Sequence, residues 1–288
     1  MPSMAAEKAT LTSIYVTTIV GAIELPIGIL FGSLAFIAAG VDALSDTVTS
    51  IGVLLGLRIS KRPADENHPY GHGQVETVVS LVLAIMLVAA GLRIAYEAIQ
   101  KLFVSSSASA PLELFLISGF SALILFALGK YKISVGRKSR AISLVADGYE
   151  TISNSLSNVA VLVGLIFVCS GFALADPLVG LGISALIVFW GARISKESLS
   201  ILMETAPERE VMDKIEEVCT KVPGVADFHK CRARKIGSNI FADLHVLVDE
   251  DINIKRAHEI ATEVERRLKA EIEDLESVVV HVEPKKVK

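Results

Sequence analysis

Residues 36–50, FIAAGVDALSDTVTS, set Asp42 and Asp46 four positions apart inside a run otherwise long and apolar enough to cross a bilayer. One helical turn separates the two, so both carboxylates lie on one face. An ionised Asp at membrane depth costs several kcal/mol unless it is partnered. One such Asp reads as readily as a cap or the partner of an unseen helix as it does as a functional group. Two on one stripe point to a cation, a water-filled cavity or a shared proton.

Residues 144–164, LVADGYETISNSLSNVAVLVG, answer that stretch: Glu150 and Asn154 repeat the four-residue spacing in a second apolar segment, with Asp147 one turn before Glu150. Two helices that each offer an i, i+4 pair of oxygen donors can close a four-ligand cage around one divalent ion.

Apolar windows of about twenty residues along the chain, these two included, give about six spans, near 10 to 31, 33 to 59, 74 to 103, 111 to 132, 142 to 170 and 177 to 203. The first contains Glu24 and Pro26, read as a kink with the acid turned toward the bundle or the interface. Lys8 precedes an apolar run that outlasts a signal peptide, so the run reads as a retained first span. Arg58, Lys61 and Arg62 follow the second span, Lys130, Lys132, Arg137, Lys138 and Arg140 are read as lying between the fourth and fifth, and Arg193 and Lys196 close the sixth. The opposite connections, 31–33, 104–111 and 170–176, carry no Lys or Arg, so the positive-inside bias puts both termini in the cytoplasm.

Of 288 residues, 52% are hydrophobic and 21% charged, which leaves enough charge for one soluble module beside the spans. A formal charge of −4 argues against a nucleic-acid partner. Cys169, Cys219 and Cys231 have no C-x-x-C spacing and read as buried or free thiols. Composition changes at Pro207, which divides the chain into a membrane domain, 1–206, and a domain of alternating charge, 207–288. Residues 208–222 have helical spacing, 228–237 and 239–249 alternate as strands joined at Gly237, 255–273 is a helix and 277–284 a last strand. That αββαβ order predicts two helices on a small sheet, cytoplasmic by the charge rule.

Four motifs in order, SLAFIAAGVDALSDTVTS, PADENHPYGHGQVET, ADGYETISNSLSNVAVLVG and the tail GVADFHKCRARKIGSNIFADLHVLVD with KRAHEIATEVE and VVVHVEP, resemble the cation diffusion facilitator family. The resemblance spans nearly the whole chain. It implies an α-helical membrane protein of six transmembrane helices with a small metallochaperone-like α+β domain. It also implies a homodimeric metal/proton antiporter, multi-pass in the plasma (inner) membrane, and no enzyme. Its central site maps onto Asp42, Asp46, Glu150 and Asn154, with Asp147 at a family Asp that is not usually a direct ligand. Zinc members commonly carry His and Asp where Glu150 and Asn154 stand here. The all-oxygen set suits Mn²⁺, Fe²⁺ or Mg²⁺ better than a His-containing site does, while Zn²⁺ remains a strong competitor at most sites.

The loop residues Asp65, His68 and His72 match a family site at the cytoplasmic mouth, though the same loop also reads as turns set by Pro69, Gly71 and Gly73 with solvated histidines. His229, His245, His258, His281 and Glu283 match tail positions that bind zinc in relatives, though any one of them alone reads more readily as a structural residue. A family Lys that pairs with an acid at the end of the sixth span is replaced by Gln74, while Glu204 remains. Two other classes fit a buried metal site: a sensor or scaffold that binds without moving ions, and a membrane metallohydrolase, for which the chain offers no evident nucleophile or additional base.

Overall fold

The computed structural model describes residues 2–30, 34–103, 112–169 and 175–285. The chain divides into two compact units, Met1–Leu199 and Ser200–Lys288. The first is built of six helices of 27 to 30 residues: α1 (Pro2–Leu30), α2 (Leu34–Ser60), α3 (Gln74–Phe103), α4 (Leu112–Lys138), α5 (Ile142–Cys169) and α6 (Ala175–Leu202). At 1.5 Å per residue each is long enough to cross the ~30 Å hydrocarbon layer. Among the described residues, α1 to α4 also meet the apolarity needed to cross a membrane.

The polarity of this unit is inverted relative to a soluble bundle. Large apolar side chains such as Tyr15, Ile19, Leu123, Phe126 and Phe189 face outward, while Thr10, Ser13, Thr17, Ser50, Thr77, Ser80 and Ser198 are buried. Lipid solvates the former, while some of the latter pair between helices and Thr10 donates to Ala6 O within its own helix. Ser13 and Ser50 lie 3.0 Å apart and Ser198 and Ser80 likewise 3.0 Å apart. Glycines let backbones approach. A Cβ on Gly129 would meet Gly148 O at 2.9 Å, and one on Gly148 would meet Gly129 O at 3.1 Å, which marks the α4–α5 crossing. Gly40 against Leu25 does the same for α1 and α2, and Gly191 against Val88 for α3 and α6.

Two expectations are corrected. Helix α1 begins at Pro2 rather than near residue 10, and it runs through Pro26 to Leu30. Helix α4 does not stop at 132 but continues to Lys138, so Lys130 and Lys132 are helical and only residues 139–141 form the turn. Lys132 is fully buried rather than a loop charge, because an acid on α5 awaits it at the same depth. Arg140 closes the turn in the left-handed region at φ 53°, and Ala141 N–H donates to Gly136 O. Glu24 is turned into the bundle, 2% exposed, with Ser121 beside it. The connections 31–33 and 104–111, and 170–174 of the third, lie outside the described residues.

The second unit has the order α7 (Arg209–Thr220), β1 (Asp227–Ile236), β2 (Asn239–Val248), α8 (Ile254–Glu271) and β3 (Leu275–Pro284). β2 is central, antiparallel to β1 and parallel to β3. Strict alternation buries one face of β2, Ile240, Ala242, Leu244, Val246 and Val248, with Ile260, Val264 and Leu268 of α8 and Ile215 and Val218 of α7 in the same core. Gly237, at φ 61°, makes the β1–β2 hairpin turn. Asn253 caps α8 by accepting from Arg256 N–H. The other face of β2 carries Phe241, Asp243, His245 and Leu247, and there the histidines gather.

Candidate metal sites

The paired oxygen donors singled out by their spacing come from α2 and α5. Asp46 is 3% exposed, and its Oδ1 accepts a hydrogen bond of 2.8 Å from Asn154 Nδ2. Its Oδ2 has no partner, and neither does Oε2 of Glu150. Asp46 acts electrostatically on Glu150, and Thr49 lies beside the latter. Two buried carboxylate oxygens without donors, with an amide that offers Oδ1 after a half-turn of its side chain, match what a hard dication requires. Asp42, one turn further along α2, is exposed, with Arg93 and Glu97 of α3 as its charged neighbours. The structure thus brings together Asp46, Glu150 and Asn154, and leaves Asp42 outside.

Beneath this group lies a second layer the sequence reading did not assemble. Lys132 Nζ stands 2.6 Å from Asp147 Oδ2 and donates to Ser13 Oγ at 2.8 Å and Thr151 Oγ1 at 2.9 Å. Ser50 Oγ lies 3.1 and 3.2 Å from the two Asp147 oxygens. Asp147 was singled out by its position, but not its partner. The signal was present: Lys132 and Asp147 stand at nearly equal depths on either side of the α4–α5 turn.

In the loop after α2, Asp65 Oδ1 accepts from the backbone N–H groups of Asn67 and His68 at 3.0 and 2.7 Å. Those bonds, the His68 amide first, hold its carboxyl below the ordinary range. His68 Nδ1 lies 3.1 Å from Asp65 Oδ1 and His72 Nε2 3.3 Å from Oδ2. The turn therefore forms, with Gly71 at φ 79°, and it also places the three ligand atoms within 4.8 Å of one another.

In the tail, strand register makes the site. His245 pairs with His229 on one side and His281 on the other, so the three imidazoles form a row across the sheet. Glu283, two residues beyond His281, reaches back along the same face. Its Oε1 lies 2.8 Å from His245 Nδ1 and 3.6 Å from His281 Nε2, and its Oε2 3.2 Å from His229 Nε2. The His245 hydrogen bond is the main cause of the Glu283 carboxyl lying below its usual range. A β-bulge after His229, with Lys230 at φ 49°, re-aims β1 beside the site. His229, His245 and Glu283 form a group able to hold a metal ion. His258, exposed on α8, lies outside that group and lines a surface cavity with Asp249, Glu250 and Glu283. Cys219 and Cys231 are free thiols. Burial pushes both up, Cys219 to about 12, which disfavours the thiolate a metal needs.

Comparison with known proteins covers both units. Residues 10–203 match the family model described as the cation efflux transmembrane domain, and residues 207–285 that of the cation efflux protein, cytoplasmic domain. The chain is 30% identical to an uncharacterized transporter of Methanocaldococcus jannaschii, over 96% of this chain and 98% of that one. It is also 30% identical to the manganese efflux system protein MneS of Bacillus subtilis, over 96% and 95% of the two chains. A solved structure of a MamM C-terminal domain variant is 34% identical over 27% of this chain and 96% of that one, with a TM-score of 0.26.

Proposed function

The chain belongs to the cation efflux (cation diffusion facilitator) family, and from that premise we propose that it exports a divalent transition metal, Mn²⁺, Fe²⁺ or Zn²⁺, from the cytoplasm in exchange for protons. The observation that carries this reading is the pair of unpartnered carboxylate oxygens, Asp46 Oδ2 and Glu150 Oε2, beside the amide of Asn154 inside a lipid-facing bundle. Metal arriving from the cytoplasm displaces protons from these acids, takes Asn154 Oδ1 after the amide turns, and leaves when the helices move and protons return. Asp42 joins the ion only if α2 turns or shifts by part of a helical turn relative to α5.

Oxygen-only ligation and the manganese efflux relatives both support manganese as the first candidate. The tail cluster supports regulation: metal bound at His229, His245 and Glu283, with His281 at its edge, rigidifies the open sheet face and favours a homodimer. The loop trio Asp65, His68 and His72 serves as an entry site. Both termini lie in the cytoplasm and the protein resides in the plasma (inner) membrane in this reading.

The test is metal-driven proton flux in proteoliposomes under a defined pH gradient, with Mn²⁺, Fe²⁺, Zn²⁺ and Mg²⁺ in competition. Asp46→Asn is expected to reduce flux to background for every metal. Full flux in that variant removes the site from the mechanism.

A further inference from the structure

Lys132 has no part in ligation, yet it is the largest fully buried side chain of the molecule among the described residues, and a buried ion pair is weak ground for stability. Four helices converge on it: Ser13 of α1, Ser50 of α2, Lys132 itself on α4, and Asp147 and Thr151 of α5. Asp147 is 1% exposed, with Lys132 on one oxygen and Ser50 against both. On α5 it precedes Glu150 by three residues, and on α2 Ser50 follows Asp46 by four, so this layer lies one helical turn from the ligating one. Lys132 and Asp147 both act electrostatically on Asp46 and Glu150. Apart from Asp42, which stands outside, three carboxylates lie within one turn of this site, Asp46, Glu150 and Asp147, and of these only Asp147 has both oxygens partnered.

We propose that Lys132 is a positioning residue of the transport site: it holds Asp147 out of the metal's coordination and leaves the ion to Asp46, Glu150 and Asn154. The inference rests on the transport reading above. With Asp42 outside, the carboxylates of Asp46, Glu150 and Asp147 and the ammonium of Lys132 leave a formal charge of −2 for a dication to neutralise. Without the ammonium, a third acid turns toward the ion, the site holds it more tightly and release slows. A transporter needs a site strong enough to load and weak enough to empty.

The experiment uses the full chain, with Mn²⁺ as probe, read as initial flux in proteoliposomes and as equilibrium binding in detergent. Lys132→Met is expected to lower the half-saturating Mn²⁺ concentration and the maximal rate, each by about tenfold. The double variant Lys132→Met/Asp147→Asn, which removes the pair together, is expected to bring both back to within about threefold of the parent. A structural role alone predicts a lower rate with unchanged half-saturation and no rescue, and that result overturns the proposal. If Lys132→Met does not fold, Asp147→Asn decides: its unpaired ammonium is expected to weaken Mn²⁺ binding by about tenfold, and unchanged binding overturns the proposal. A parent chain that moves no Mn²⁺, Fe²⁺ or Zn²⁺ defeats the transport reading, while the binding arm still decides the role of Lys132.

Discussion

A buried carboxylate oxygen left without a donor costs on the order of 1–3 kcal/mol or more, and Asp46 and Glu150 each carry one. Such a cost persists where a ligand relieves it. Glu283 is the contrasting case: three imidazoles surround it, and its carboxyl lies below the ordinary 4.5 because of the His245 hydrogen bond first and the His245 and His229 charges after it. A depressed folded value means that the contribution of Glu283 to tail stability is complete above 4.5 and is lost as pH falls through the folded value. The urea midpoint of tail unfolding is therefore expected to drop as pH falls below 4.5, and Glu283→Gln to flatten that drop; parallel curves would remove Glu283 as its source. Metal affinity at the same cluster falls on acidification too, because protons and metal compete for the imidazole lone pairs.

The α4–α5 hairpin shows how an element turns small residues into chemistry. Gly129 and Gly148 face each other closely enough that a Cβ on either meets the other's carbonyl oxygen, and this approach puts Lys132 against Asp147. Gly148→Val is expected to force the helices apart, lower the thermal midpoint by several degrees and abolish flux; about 1–3 kcal/mol of overpacking is enough. Gly52→Ala is the matched control, since nothing lies within 4 Å of its added Cβ, and both readouts are expected to stay unchanged. Equal damage from the two would mean that close approach is not what matters. The i, i+4 acids were legible in the sequence because helical spacing is local. The partner of Asp147 was not, because Lys132 sits in a cluster of positive charges and the sequence does not show which member of such a cluster turns inward.

At the scale of the molecule, the chain forms two units, Met1–Leu199 and Ser200–Lys288. Glu204, the acid whose family partner is absent at Gln74, instead pairs with Arg234 of β1 at 2.9 Å within the tail unit. The homodimer is therefore expected to lean on the tail, and a chain lacking residues 207–288 is expected to elute as a monomer by size exclusion with light scattering; an intact dimer would place the interface in the membrane unit. The sequence by itself determined the six long helices, the αββαβ order and the histidine-bearing face of the sheet, because hydrophobic run length and the 3.6- and 2-residue periods act within a few residues along the chain. It also fixed the oxygen-only character of the proposed central ligands, since that is a matter of residue identity. Only the tertiary structure decided that Asp46 meets Asn154 while Asp42 stays outside, that His258 stands apart from the row of three imidazoles, and that Lys132 is buried. Those outcomes depend on how each helix is rotated and how deep it sits, which glycine crossings and the demand for a counter-charge set between segments far apart in the chain.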